Sequence, residues 1–432
     1  MKEQGKIPTS KVERASKFLR TGARVGGNYI KHYSKKVFDP SLTREELDAS
    51  NAEDIYKSLS ELKGSALKIA QMLSMDKNLL PMAYQDKFAM SQYSAPPLSY
   101  PLVVKTFKQY FGKSPDQIFD TFSRSAINAA SIGQVHQATL GDKKLAVKIQ
   151  YPGVADSISS DLKIVKPIAS SMFSISKAEL DQFMGEVEEK LIEETDYELE
   201  VTRSQHLSQQ CAHLHGLVFP RYYPEMSSER IIVMDWIDGQ HIQEWIKTKP
   251  SQGERNAIGQ ALWDFYDYQI HQLHQVHADP HPGNFIITPD QQLGIIDFGC
   301  VKVIPQAFYK PYFRLLERDI LTQEDSLEEL FIELGFLSEA DTPKERQFFT
   351  ALFTEMIALL GKPFRQSTFD FGDDEYFNQI FQAGERVSKL KEVRKSKKAR
   401  GHKDGLYVNR TYFGLYNLLN MLKAEVRTGH VK

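Results

Sequence analysis

The stretch "HADPHPGNFIITPDQQLGIIDFG", residues 277–299, constrains the fold of this chain more than any other. Between Asn284 and Asp297 the run "FIITPDQQLGII" reads as two apolar strands around a "TPDQQ" turn, because Pro and Asp interrupt the apolar periodicity. A hairpin of that kind brings the two flanking polar side chains to the same end, where both can face one metal ion. The segment just upstream, 254–274, has helical apolar spacing. The chain must therefore supply a helix, a loop and a hairpin in immediate succession, with polar groups gathered at the loop.

Phosphoryl transfer needs metal ions that bridge phosphate oxygens and a carboxylate near the accepting hydroxyl. In protein kinases these groups lie on H-R-D-x-x-x-x-N and on D-F-G. Here His277, Ala278 and Asp279 give H-A-D, Asn284 follows Asp279 after four residues, and Asp297, Phe298 and Gly299 give DFG. Asn284 and Asp297 are thus expected as Mg²⁺ ligands and Asp279 as the base-like carboxylate. The plainer alternative is three polar loop residues with DFG arising by chance. A lone DFG carries little weight, whereas D-x4-N at hairpin distance after a helix carries much more. Ala278 stands where an arginine could pair with an activation-loop phosphate, which argues against that style of regulation.

Upstream, "LAVKIQ" places Lys148 at the end of an apolar strand, the pattern in which a lysine contacts the α- and β-phosphates and a helix glutamate. Its carboxylate partner is sought in "EETDYELE", among Glu193, Glu194, Asp196, Glu198 and Glu200. A helix over 178–211 would put Asp196 and Glu200 on one face and Glu194 and Glu198 on an adjacent stripe; a solvated acidic face is the alternative. A further helix over about 155–175 is inserted between the lysine and this segment. Before Lys148, where a kinase has a glycine-rich loop, the chain has "NAASIGQVH", in which Ala129, Ala130 and Ser131 occupy the turn and only Gly133 is glycine. Alanine restricts positive φ, so this loop is expected to be stiffer over a phosphate.

With 432 residues the chain has ample capacity for a buried core, and its formal net charge of −2 gives no general affinity for nucleic acid. Two cysteines, Cys211 and Cys300, are too few for a disulfide framework. His271, His274, His277 and His281 crowd the catalytic stretch, but no cysteine or suitably spaced carboxylate completes a zinc site. The first twenty residues lack the apolar core of a secretory signal, and no run of about 18 apolar residues suggests a spanning helix. Residues 7–35 read as a basic, weakly amphipathic segment interrupted at "VGGNY", and 44–75 as a helix opened by a Thr-x-x-Glu capping box. "APPLSYP" is a break. From 305 onward the chain reads as mostly helical around a basic linker, "KLKEVRKSKKARGHKDG". The expected divisions are 1–100, a basic segment and helical extension; 101–240, a small lobe with inserted helices; and 241–432, a helical large lobe.

In this order, "LKGSALKIAQMLS", "NAASIGQVH", "LAVKIQYPGV", "EETDYELE", "HADPHPGNF" and "IIDFG" resemble the UbiB family, also called AarF, of atypical kinase-like proteins linked to ubiquinone and related isoprenoid-lipid metabolism. The resemblance spans roughly residues 10–425. It implies an α+β, two-lobed protein-kinase-like fold with an N-terminal helical extension, binding ATP and Mg²⁺ between the lobes. It further implies that Lys68 and Gln71 lie on an extension folded over the nucleotide pocket, that Glu194 and Asp196 form an E-x-D pair facing it, and that Glu200 partners Lys148. Ala129, Ala130 and Ser131 would form the alanine-rich loop that replaces the glycine loop. Since the extension takes the place of a peptide substrate, a small or lipid-like substrate is expected and a protein Ser/Thr kinase is disfavoured. The expected activity is that of an atypical kinase or ATPase supporting isoprenoid-quinone or lipid metabolism, the alternative being a catalytically weak nucleotide-binding scaffold. Two residues depart from the family pattern: Ala70 where K-x-G-Q has glycine, and Asn128 at the head of the alanine loop. The basic segments 1–40 and 386–403 suit anionic headgroups, each Lys or Arg near such a surface contributing about 1 kcal/mol; a solvated arm and linker suit them equally. Without interleaved aromatics they do not suggest nucleic acid. The expected location is cytoplasmic, with peripheral membrane contact through these segments.

Overall fold

The computed structural model describes residues 11–36, 44–62, 65–66, 68–69, 97–129, 132–172, 177–317, 319–395 and 400–429. They fall into two units, one from 1–202 and 221–236, the other from 203–220 and 237–432.

In the first unit, β1 (Thr121–Phe122) and β2 (Asn128–Ala129) both pair with β3 (Gly133–Leu140), which pairs in turn with β4 (Lys143–Gln150). Gly141 turns β3 into β4 at φ +58°, a left-handed backbone that costs glycine nothing. After β5 (Leu217–Val218), a strand of the second unit, β6 (Ile231–Asp235) returns to complete an antiparallel sheet beside β4. Side chains alternate across a strand, and β4 uses both faces. Leu145, Val147 and Ile149 join Val103 and Phe107 in one apolar cluster, while Ala146 joins Tyr197 and Val201 in another. Even-numbered β4 side chains, Lys148 among them, are thereby committed to the face that carries Tyr197.

Helices described in this unit include α1 (Lys11–Lys36), α2 (Arg44–Leu62), α3 (Tyr100–Phe111), α4 (Val154–Met172), α5 (Lys177–Glu194) and α6 (Tyr197–Cys211), which runs on into the second unit. Two expectations are corrected. The helix α1 continues through Gly26 and Gly27 instead of breaking at "VGGNY". Its tie to α2 explains the continuity: Asn28 Nδ2 donates to Asn51 Oδ1 at 3.0 Å and to Asp54 Oδ2 at 2.9 Å. The acidic segment is also not one helix over 178–211. It stops at Glu194 and restarts at Tyr197, because the Asp196 carboxylate accepts the Leu199 N–H at 2.9 Å as an N-cap. Thr43, the first residue of the anticipated capping box, lies outside the described residues.

In the second unit, α7 (Ile242–Lys247) leads to α8 (Gln252–His271), which opens with a capping box between Ser251 and Glu254 and buries Trp263, Phe265, Tyr266 and Ile270. A four-stranded sheet follows the order β5, β10 (Leu293–Ile295), β9 (Phe285–Ile287) and β7 (Gln240–His241), and β8 (Gln275–His277) pairs with β11 (Val301–Val303). Helices α9 (Gln306–Arg314), α10 (Glu324–Glu333), α11 (Pro343–Leu360), α12 (Asp374–Lys389), α13 (Lys391–Lys395) and α14 (Lys403–Leu422) follow, with a final ribbon of β12 (Thr368–Asp370) and β13 (Glu425–Arg427). The basic segment read as a linker is helical as far as Lys395: Asp373 caps α12 by accepting the Glu375 N–H at 2.9 Å. Among the described residues no helix is long and apolar enough to cross a membrane.

Candidate functional site

Strand alternation sends Lys148 toward α6, and there it meets Glu200. The Lys148 ammonium donates to both carboxylate oxygens, at 2.7 and 2.9 Å, and Glu200 is 2% exposed. Of the five acidic candidates in "EETDYELE", this one is joined to the lysine. The Tyr197 ring, one turn before Glu200, faces the ammonium at 5.1 Å from its centroid, a cation–π contact. The sequence reading passed over Tyr197. A Cβ added at Gly133 would lie 2.8 Å from the Tyr197 hydroxyl and 2.8 Å from the Ile149 carbonyl oxygen. Glycine at 133 is therefore required by close packing, at φ values any residue adopts.

Lys68 Nζ lies 3.0 Å from Glu194 Oε2, in a pair 18% and 8% exposed. Among the described residues Glu194 Oε1, also buried, meets no hydrogen-bond donor. Asp196, by contrast, is exposed and spends its carboxylate on the α6 cap. Ala129 ends β2 opposite Gln134; Ala130, Ser131, Ala70 and Gln71 lie outside the described residues. A buried relay starts from β3. The Gln134 carbonyl accepts the Leu98 N–H at 2.6 Å, its amide donates to His136 Nε2 at 2.8 Å, and His136 Nδ1 in turn donates to the Ser123 carbonyl at 2.7 Å. That relay fixes a neutral His136 with its proton on Nδ1.

In the second unit, β9 and β10 pair with Phe285 opposite Ile295, and the Ile296 N–H donates to the Asn284 carbonyl at 3.1 Å. The hairpin read from the sequence is present, and it sets Asn284 and Asp297 at one end. Asn284 Nδ2 donates to the Asp279 carbonyl at 2.9 Å and sits 3.5 Å from Asp279 Oδ2. The amide thus turns its nitrogen to Asp279 and keeps Oδ1 as an acceptor. Asp297 Oδ1 accepts the Gly299 N–H at 2.8 Å. A carboxylate and an amide oxygen form an all-oxygen set, which fits Mg²⁺ completed by water and phosphate. Among the described residues no three His, Cys, Asp or Glu side chains converge as a metal cluster.

The loop is held from below. His277 is fully buried, its N–H donates to Gln269 Oε1 at 2.9 Å, and its Nδ1 lies 3.0 Å from the Tyr266 hydroxyl. Burial, with Asp279 and Cys300 nearby, pushes the Tyr266 phenol well above its usual range. Phe298 of DFG packs between Phe219, Phe265 and His277 at centroid distances of 6.1, 6.3 and 5.7 Å. Gly414 of α14 takes the Pro280 ring, since a Cβ there would lie 2.2 Å from Pro280 Cγ. Nothing in the spacing around Gly414 marks it; its role becomes visible only through the contact.

The first unit thus holds a lysine clamped by a buried glutamate, and the second a D-x4-N loop joined by a hairpin to DFG. Comparison with known proteins shows a family. The model of the ABC1 atypical kinase-like domain matches residues 90–345. The chain is 28% identical to the atypical kinase COQ8, mitochondrial, of Saccharomyces cerevisiae, over 87% of this chain and 75% of that protein. It is 25% identical to the atypical kinase coq-8, mitochondrial, of Caenorhabditis elegans, over 99% of this chain and 57% of that one. Among solved structures it is similar to Rv3197 of Mycobacterium tuberculosis, determined with erythromycin, at TM-score 0.61 and 26% identity over 89% of this chain and 95% of the other. The fold is accordingly kinase-like and α+β. The chain belongs to the ABC1 family of atypical kinase-like proteins, the UbiB or AarF family that its motifs resemble.

Proposed function

We propose that this chain binds Mg-ATP and acts as an atypical small-molecule kinase or ATPase supporting isoprenoid-quinone or lipid metabolism. The observation that carries the reading is the two-oxygen clamp of Glu200 on Lys148, which fixes a cation for the α- and β-phosphates and spends nothing on reorganisation when nucleotide arrives. Asn284 Oδ1 and Asp297 would hold Mg²⁺, whose chemistry is to neutralise charge on the phosphate oxygens. Asp279, oriented by Asn284, would take the proton of the accepting hydroxyl or water. The COQ8 relatives support the quinone link, and the basic helix α1 supports contact with anionic lipid.

The test is Mg-dependent ATP hydrolysis by the purified chain, with and without anionic liposomes, beside Asp297→Asn. Turnover abolished by the substitution and raised by liposomes supports the reading. Nucleotide binding without turnover under either condition replaces it with a nucleotide-gated scaffold. Efficient phosphorylation of a generic peptide would instead make the chain a protein kinase.

A further inference from the structure

The second unit contains a cavity of about 280 Å³ that the phosphate chemistry does not use. It lies among α9, α11, α12 and α14, and Leu315, Leu352, Phe353, Ile357, Phe364 and Phe413 are among the residues that line it. Among the described residues no Lys, Arg, Asp, Glu or His lines it. Its polar atoms are nearly all committed: the Tyr416 hydroxyl donates to the Leu360 carbonyl at 2.9 Å, and the Tyr312 hydroxyl donates to Asn409 Oδ1. With Oδ1 engaged, Asn409 is left with its Nδ2 donor, and the residue is only half-buried. Tyr412 turns its hydroxyl to His271 Nε2 at 3.5 Å, so the Asn409 amide is the neutral donor left on a wall that is otherwise largely hydrocarbon.

A space of this kind has a definite chemistry. Protein interiors pack to crystal density, and an apolar hollow forfeits dispersion contacts while offering ordered water too few partners. An apolar cavity of about 150 Å³ takes up benzene, so this one has room for about ten carbons. A charged ligand would lose its hydration with no counter-charge to replace it. A neutral ligand with one acceptor loses nothing at Asn409.

We infer that this cavity is a binding site for one aliphatic chain of about ten carbons with a single neutral oxygen at its end, the oxygen accepting from Asn409. It is separate from the proposed nucleotide chemistry, and binding there does not depend on that reading.

The test is calorimetric titration of the full chain with 1-hexanol, 1-octanol, 1-decanol and 1-dodecanol. Each added methylene is expected to tighten binding about fourfold, with the gain ending at about ten carbons. Decanoate should bind at least tenfold more weakly than 1-decanol. Met356→Trp, which adds bulk to the lining, should weaken 1-decanol at least tenfold; Leu316→Phe serves if that variant does not fold. Asp297→Asn should leave alkanol binding unchanged, so failure of the nucleotide reading and failure of this one are separately visible. Affinity that keeps rising past ten carbons, equal binding of decanoate, or binding unaffected by both filling variants would overturn the proposal.

Discussion

Arg14 on α1 and Asp161 on α4 form an ion pair whose side chains are 4% and 0% exposed. Arg14 Nε donates to Asp161 Oδ1 at 2.8 Å, and Nη1 donates to the Leu62 carbonyl at 3.0 Å. Ser65, three residues before Lys68, donates to the same carboxylate and shares a 2.9 Å hydrogen bond with Ser157. The N-terminal extension is thus bolted to the inserted helix through a desolvated charge pair, at the segment that carries the Lys68–Glu194 contact. Removing one member strands the other in the interior, at about 3–5 kcal/mol. Arg14→Met should show that loss in chemical denaturation, and Arg14→Met with Asp161→Leu should recover most of it. Equal stability of the single and double variants would mean that the pair contributes packing alone.

Glu200→Gln keeps the shape of the clamp and removes its charge. Turnover should fall about 10²–10³-fold, the usual effect of losing one preorganised electrostatic contact, with little change in unfolding midpoint. Tyr197→Leu withdraws the ring beneath Lys148 and opens a buried hole, so it should lower both turnover and stability, the latter by about 3 kcal/mol. Steady-state kinetics beside thermal unfolding separates the two. A Glu200→Gln variant with unchanged turnover would remove the Lys148 clamp from the chemistry.

Gly414 and Pro280 give a test of loop positioning at a distance from the phosphates. Gly414→Ala forces a methyl against the proline ring, an overpacking change of about 1–3 kcal/mol. Pro280 follows Asp279 directly, so the strain falls on the carboxylate proposed as the base, and misplacement of about 1 Å can reduce rate about 10²-fold. Turnover should drop well beyond the loss in stability, with KM for ATP little changed. Adding Pro280→Ala to Gly414→Ala should restore part of the rate; a pair no better than Gly414→Ala alone would place the damage elsewhere.

The parts of the site that follow strand and hairpin logic were legible in the sequence. Lys148 at the end of an apolar strand and the Asn284-to-Asp297 hairpin are set by local alternation, which a single sequence displays. The choice of Glu200 was not settled by periodicity, because Asp196 ends one helix and starts the next, and a polar run does not show which carboxylate becomes a cap. Gly26 and Gly27 misled in the opposite direction. Each lowers helix propensity by about 1 kcal/mol, yet hydrogen bonds from Asn28 to α2 hold α1 straight through them. Gly414, Tyr197 and the Arg14–Asp161 pair all act through partners distant in sequence, and no local pattern announces such partners.

Buried phenols predict how the chain responds to alkali. Burial raises Tyr266, Tyr412 and Tyr416 well above the usual value of 10, with Asp279 adding to the effect at Tyr266 and Asp267 at Tyr412. In the folded chain these phenols stay protonated at a pH where the unfolded chain has released its protons. Their stabilisation is therefore complete below pH 10 and is lost as pH rises above it, because the unfolded state then binds fewer protons than the folded one. Each group contributes a slope of about 1.4 kcal/mol per pH unit, so the three together give about 4. Denaturant unfolding should be flat in this respect up to about pH 9 and fall steeply above 10, with the phenolate absorbance of these three groups appearing only as the chain unfolds. Tyr412→Phe should reduce the measured slope by about 1.4 kcal/mol per pH unit, the share of one phenol. Titration of all phenols near pH 10 in the folded chain would contradict the burial from which the slope follows.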